Sequence, residues 1–318
     1  MHCIIPFAAP ASEAGRAALA QMQWPRLAAL LPRLMLVDRD EAEPTTYTPP
    51  HERVLVRALD WRGGDGRWPL AARAARADGI EPGDAAWGLV SPVHWHVGTD
   101  QVSLVDPGAL QLDDAGSRVL FDAVRSLFAD EGLRFEYGHA TRWYVAHESL
   151  HGLRTASLDR VAGRNVDPWL DDGAATDDAE RAALRRWRRL QAEVQMLLHA
   201  HPLNAEREAR GLLPVNSFWL SGCGRAQPEA GTQVLQVEML LRSAALAEDW
   251  PAWAAGWRRL EEGVLLGLEI AMRRGAEVWL TLCGERAAAT YVPLRGGFVA
   301  RLRNVLARPT VPALLASL

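Results

Sequence analysis

The chain has 318 residues, 35 basic and 39 acidic side chains and a net charge of −4, and all 35 cations are arginine. Without lysine there is no Schiff-base lysine, no P-loop lysine, no kinase-type β3 lysine and no carboxylated-lysine metal bridge. The acidic balance speaks against a nucleic-acid binder, and any anion must be held by arginine forks and backbone amides.

An apolar share of 49% and a charged share of 23% are those of a globular protein. No apolar run reaches the roughly 18 residues of a membrane span. The opening Met1-His2-Cys3-Ile4-Ile5-Pro6-Phe7 lacks the basic and apolar regions of a signal peptide. Cys3, Cys223 and Cys283 form no CxxC pair, so a reducing, cytoplasmic setting is expected.

In chain order, the hydrophobic periodicity predicts a strand at 2–7 and helices at 12–22, 25–34, 51–59 and 69–78, with an acidic, proline-rich loop at 38–50. Strands follow at 86–97 and 102–105, a helix at 115–131, then strands at 133–137 and 142–147. A glycine- and aspartate-rich loop at 162–178 leads into a helix at 177–200. That helix is capped by Thr176, Asp177 and Asp178, striped by Leu184, Trp187, Leu190, Val194 and Leu197, and closed by Pro202. Its other face carries Arg181, Arg185, Arg188 and Arg189, either a solvated face or an anion-binding strip. Strands at 215–221 and 233–238, helices at 239–247 and 250–273, a strand at 277–283 and a helix at 295–307 complete the pattern.

Alternation of glycine-terminated apolar runs with amphipathic segments implies an α/β fold: one domain over 1–318, a sheet flanked by helices, with 162–178 the candidate for a sub-lobe boundary. Of the 13 tryptophans, Trp250, Trp253 and Trp257 fall at helical spacing with Leu260, Val264 and Leu268 and read as a packed face.

Four constellations could carry chemistry. In an extended segment His94 and His96 point to one side, as metal ligands beside Asp100 or Asp106, as pocket lining, or as hydrogen-bonded structural histidines. Pro202 pushes His201 out of helical geometry, which leaves it as a helix-ending residue at the last carbonyls or as a site residue together with His199 and Asn204. The run Asn216-Ser217-Phe218-Trp219-Leu220-Ser221-Gly222-Cys223-Gly224-Arg225 reads as a strand entering an anion cradle. Cys223 is then a small buried thiol or a nucleophile, although neither C-x5-R nor a nucleophile elbow is satisfied. A similar strand and glycine recur at Thr281-Leu282-Cys283-Gly284. Finally, Asp159, Arg160, Arg164 and Asp167 interleave around Gly163, either pairing with one another or clamping a phosphorylated ligand.

The blocks Ser91-Pro92-Val93-His94-Trp95 with Gly98-Thr99-Asp100, Ser157-Leu158-Asp159-Arg160-Val161 with Gly163-Arg164, Glu193-Val194-Gln195-Met196-Leu197 with His201-Pro202 and Asn204, and Pro214 to Gly222 resemble the bacterial RpfE-type proteins. That family is often labelled regulatory or similar to cofactor-independent phosphoglycerate mutase. The run from Asn216 to Gly224 is similar to the Asn-x-aromatic-Trp-x-x-Gly-x-Gly run of archaeal mutases. The resemblance implies a phosphoglycerate mutase or alkaline phosphatase-like fold and a binding or regulatory protein with a mutase-like pocket. The alternative is a metal-dependent enzyme acting on a phosphorylated small molecule, as a mutase or phosphomonoesterase.

A divalent metal is the candidate cofactor, with His94, His96 and His201 as ligands and His94, His201 and Asp100 as the reacting groups. Asn204, Asn216, Ser221, Gly222, Gly224, Arg225, Arg160 and Arg164 are the candidate ligand-binding residues. The expected partner is a small anionic ligand or another protein, with neither nucleic acid nor membrane. Three features depart from the mutase pattern: the first strand ends in Pro6-Phe7 where an aspartate is required, no Asp-His pair occurs, and the lysine common in those sites is missing.

Overall fold

The computed structural model describes residues 1–98, 101–170, 175, 177–230, 234–294 and 309–318. Its first elements are β1 (His2–Ile5), α1 (Glu13–Gln21), α2 (Pro25–Leu30), β2 (Leu34–Glu41), α3 (Pro50–Ala58) and α4 (Leu70–Ala77). There follow β3 (Ala86–Val97), β4 (Val102–Val105), α5 (Asp114–Asp130), β5 (Arg134–His139), β6 (Arg142–Ala146), α6 (Leu158–Val161), α7 (Asp178–His199) and α8 (Pro202–Ala209). The last part holds β7 (Ser217–Arg225), β8 (Leu235–Val237), α9 (Arg242–Leu246), α10 (Trp250–Leu260), α11 (Leu266–Arg273), β9 (Trp279–Cys283), β10 (Ala287–Pro293) and a short helix Val311–Ala316. The predicted helix at 295–307 lies outside the described residues. Among those described, no helix is long and apolar enough to cross a membrane.

Where one domain is expected from the sequence, the chain forms two compact units. The first comprises 1–44, 49–60 and 230–318, the second 45–48 and 61–229. The described part of the 162–178 loop falls inside the second unit, so it divides nothing.

The first unit has a mixed sheet in the order β2-β10-β9-β1-β8. β1 runs parallel to both neighbours and is buried throughout, as its unbroken Cys3-Ile4-Ile5 run requires when helices cover both faces. The tryptophan face is core: Trp253 and Trp257 are fully buried, and Trp24 meets Trp257 edge to face at 4.9 Å and 87°. Between α10 and α11 the helix widens into one π-type turn, Glu261–Leu265. There the buried Glu261 carboxylate accepts from the backbone N–H of Arg26 at 2.6 Å and Leu27 at 3.0 Å. It thereby caps α2, whose own Trp24 offers no capping side chain.

The sequence misplaces β2, assigning its ends to a helix at 25–34 and a loop at 38–50. Only Leu34 of this strand is buried, so periodicity has little to register. Asp38 and Asp40 face α3, with Asp38 at 3.5 Å from Arg57 and Asp40 bound by Arg57 at 2.7 Å and by Arg53 Nε at 2.7 Å. The ladder with β10 slips at Val37, and a bulge with charges is a usual way to blunt a sheet edge.

The second unit is a sheet in the order β4-β3-β6-β5, with β7 also paired to β3. β3 is long because it serves two ladders: its first part lies between β6 and β7, and residues 94–97 pair with β4. α7 matches its prediction closely, with Asp177 as N-cap accepting from Glu180 N–H at 2.8 Å and Trp187, Leu190, Val194 and Leu198 buried. These pack with Phe121, Phe128, Phe135 and Trp143 in one core.

Candidate functional site

Several sequence candidates do come together, around residues 214–216 of the second unit, and each is spent on the backbone. His94 Nδ1 lies 2.9 Å from Pro214 O. Asn204, 3% exposed, donates to Leu198 O and Val215 O at 2.8 Å each and accepts from Val215 N–H at 2.9 Å. Asn216 accepts from Trp95 N–H at 2.7 Å and donates to Trp95 O at 2.9 Å. This is amide pairing with a strand edge, which satisfies main-chain groups that would otherwise be buried unpaired. His201 ends α7 through its backbone N–H, which donates to Leu198 O at 3.1 Å, while its imidazole turns the other way. It caps the following helix, its Nδ1 accepting from Leu203 N–H at 3.2 Å.

The donor set expected for a metal does not fit. Among the described residues no three His, Cys, Asp or Glu side chains are grouped to hold an ion, so His94, His96 and His201 form no ligand set. Asp100 lies outside the described residues.

The anion cradle is corrected as well. Ser221 to Arg225 is not a turn beyond a strand but the second half of β7, paired to β3 as far as Arg225. Two β7 residues oppose Gly88, and Gly222 (φ +65) relieves the mismatch. A Cβ there would sit 2.8 Å from the Ala71 N of α4, and one on Gly224 3.1 Å from the Pro69 Cβ. Glycine is present so that a helix can lie on the strand. Ser221 is buried. Arg225 Nη2 donates to both oxygens of the Glu148 carboxylate at 2.6 and 2.7 Å, and burial pushes the Cys223 thiol up to about 12, which fits the buried-thiol reading.

Arg160 is 2% exposed and donates to Thr46 Oγ1 and Thr48 O, tying residues 45–48 into the unit. Arg164 stands in a turn that stitches onto β4, with Gly163 N–H to Leu104 O at 2.7 Å.

In the first unit, the carboxyl ends of the parallel strands are where an α/β sheet usually binds its ligand. Beyond β1 and β9 here stand Phe7 and Leu318. Phe7 (φ +56) is held by Trp253 Nε1 at 2.9 Å and lies against the His51 ring. Leu318 closes on Gly284 so tightly that a Cβ would meet its carbonyl carbon at 2.5 Å. The glycine runs after β9 and within β7 belong to different units.

A cavity of about 650 Å³ in the second unit involves other residues. Its walls are Arg67, the segment 148–153 with Ser149 and His151, and the first turns of α7 with Asp177, Glu180 and Arg186. Glu180 is buried and accepts from Arg67 Nη2 at 2.9 and 3.0 Å and from Arg154 N–H at 3.2 Å. Ser149 Oγ lies 2.9 Å from His147 Nδ1, and burial and then Arg186 hold that imidazole below its ordinary pKa. The run His147-Glu148-Ser149-Leu150-His151, with a hydroxyl between two imidazoles, was the sequence signal for this region and is not among the four constellations.

The molecule is thus an α/β protein with mixed sheets flanked by helices. It is similar to the cofactor-independent phosphoglycerate mutase of Thermoplasma acidophilum, with a TM-score of 0.37 and 14% identity over 93% of this chain and 90% of that one. It is similar also to the PH0037 protein of Pyrococcus horikoshii, with a TM-score of 0.48 and 11% identity over 96% and 91%. No family model matches the chain, and no curated protein does.

Proposed function

We propose that this is a ligand-binding protein of regulatory type, cytoplasmic as its cysteine usage suggests, which holds a small anionic molecule in the second unit. The observation that carries the reading is the 650 Å³ cavity, whose wall sets Arg67, Arg186 and His151 beside Glu148, Asp177 and Glu180. That volume lies within the usual range for small-molecule sites. The RpfE-type resemblance in sequence points the same way.

The test is calorimetry of the full chain with 3-phosphoglycerate, inorganic phosphate and succinate, with and without Mn²⁺, alongside an assay for phosphoglycerate turnover. The expected result is one anion bound per chain, weakened about tenfold in His151→Ala, with no turnover. Turnover of 3-phosphoglycerate would overturn the binding reading, and failure of all three anions to bind would overturn the site.

A further inference from the structure

The turn that follows β6 carries a separate inference. Its first residue, His147, is fixed through the main chain: its N–H donates to Ala86 O at 3.0 Å and its carbonyl accepts from Leu150 N–H at 3.1 Å, while Leu150 is fully buried. The imidazole Nδ1 faces two donors of Ser149, the backbone N–H at 3.0 Å and the hydroxyl at 2.9 Å. A backbone N–H can only donate, so Nδ1 is the unprotonated nitrogen and the hydroxyl donates to it as well.

Capping the turn needs only the first of these bonds. The second sets a serine O–H against the lone pair of a base, at the separation that joins a nucleophile to its base. Ser149 is half-buried and belongs to the wall of the 650 Å³ cavity, whereas His147 does not; a substrate in the cavity meets the serine first. Another hydroxyl–imidazole pair, Thr281 with His2, is buried in the sheet of the first unit. The His147 imidazole stays free to take a proton at neutral pH, because burial and then the Arg186 guanidinium lower its pKa against the opposing pull of Glu148. Glu148 itself is tied to Arg225.

We propose that Ser149 is an acyl-transfer nucleophile and that this cavity hydrolyses carboxylic esters. Oγ attacks the ester carbonyl carbon as its proton passes to His147 Nδ1; the bond from that carbon to the alcohol oxygen breaks, and the imidazolium returns the proton to the departing oxygen. Water, giving its proton to the same nitrogen, then attacks the acyl-serine, releases the carboxylic acid and restores the hydroxyl. The sequence is redox-neutral and consumes only water. It does not rest on the anion-binding reading: it is read by covalent labelling, and calorimetry with anions can succeed or fail without changing it.

The probe is 4-nitrophenyl acetate, given to the full chain and followed by nitrophenolate release and by mass spectrometry of the acid-quenched, digested protein. The expected result is one acetyl group per chain on the peptide bearing Ser149, with nitrophenolate released faster than in buffer. Ser149→Ala should remove both signals. His147→Asn keeps an acceptor for the Ser149 N–H but cannot take up the proton, and should slow acylation at least about a hundredfold; circular dichroism checks that both variants are folded. In the parent the acylation rate should rise with pH and level off, with its midpoint below the ordinary imidazole value of 6.5. Acetyl groups found only on the N-terminal amine or on His151 would overturn the proposal. So would an unchanged rate in a folded Ser149→Ala, or a parent chain that takes up no acetyl group and releases nitrophenolate no faster than buffer.

Discussion

Replacing Asn204 by alanine separates an anchor from a ligand-binding residue. The side chain makes three hydrogen bonds, to Leu198 O, Val215 O and Val215 N–H, and both Asn204 and Val215 are buried. Truncation strands the Val215 N–H and takes one partner from each carbonyl. An unsatisfied buried group costs about 1–3 kcal/mol, and carbonyls tolerate the loss better than N–H groups. The sum is about 3 kcal/mol. At about 2 °C per kcal/mol for a chain of this size, thermal unfolding of the second unit should fall by about 6 °C, followed by circular dichroism. Calorimetric binding of 3-phosphoglycerate by the folded variant should stay as in the parent. A fall of less than about 1 °C together with lost anion binding would refute the anchoring argument and return Asn204 to the site.

Two further outcomes follow from the burial of titratable groups. All three cysteines are free and buried, with Cys3 and Cys223 pushed up to about 12 by burial and Cys283 raised for the same reason. Ellman's reagent at pH 8 should therefore release no thiol from the folded chain and all three after denaturation; a rapidly reacting native thiol would contradict this. His2 is buried beside Thr281, at 2.7 Å from its Oγ1, and burial lowers its pKa to about 4. The unfolded chain takes up this proton near the ordinary value of about 6.5 and the folded chain does not. The contribution is therefore present above pH 6.5 and lost as the pH falls towards 4. Urea midpoints of His2→Asn should show a smaller drop over that window than the parent, and equal slopes would refute the assignment.

Most of the fold was legible because its long elements obey one period. α7 could be read from its cap, its stripe and Pro202. β1 could be read because a strand covered on both faces is an unbroken apolar run. β2 could not: seven of its eight residues are at least partly exposed, and what makes it a strand is the ladder with β10 and the answer of α3 to Asp40, both long-range. The division into two units was hidden for a similar reason, since the first is assembled from segments far apart in the chain.

The candidate site shows the limit more sharply. Asn, His, Ser and Gly in a row suit an anion cradle, and they suit equally well the repair of main-chain groups where a strand is bulged or a loop is pinned. The same donors and the same positive-φ glycines serve both ends. What separates the two is whether the facing atoms are backbone of the same chain. Gly222 meets the backbone of Ala71 at contact distance, and Asn216 meets both main-chain groups of Trp95. A cradle would leave such groups facing open space. By that criterion Asn216 and Gly222 fasten strand and helix, and the search for a ligand moves to the open cavity beside the first turns of α7.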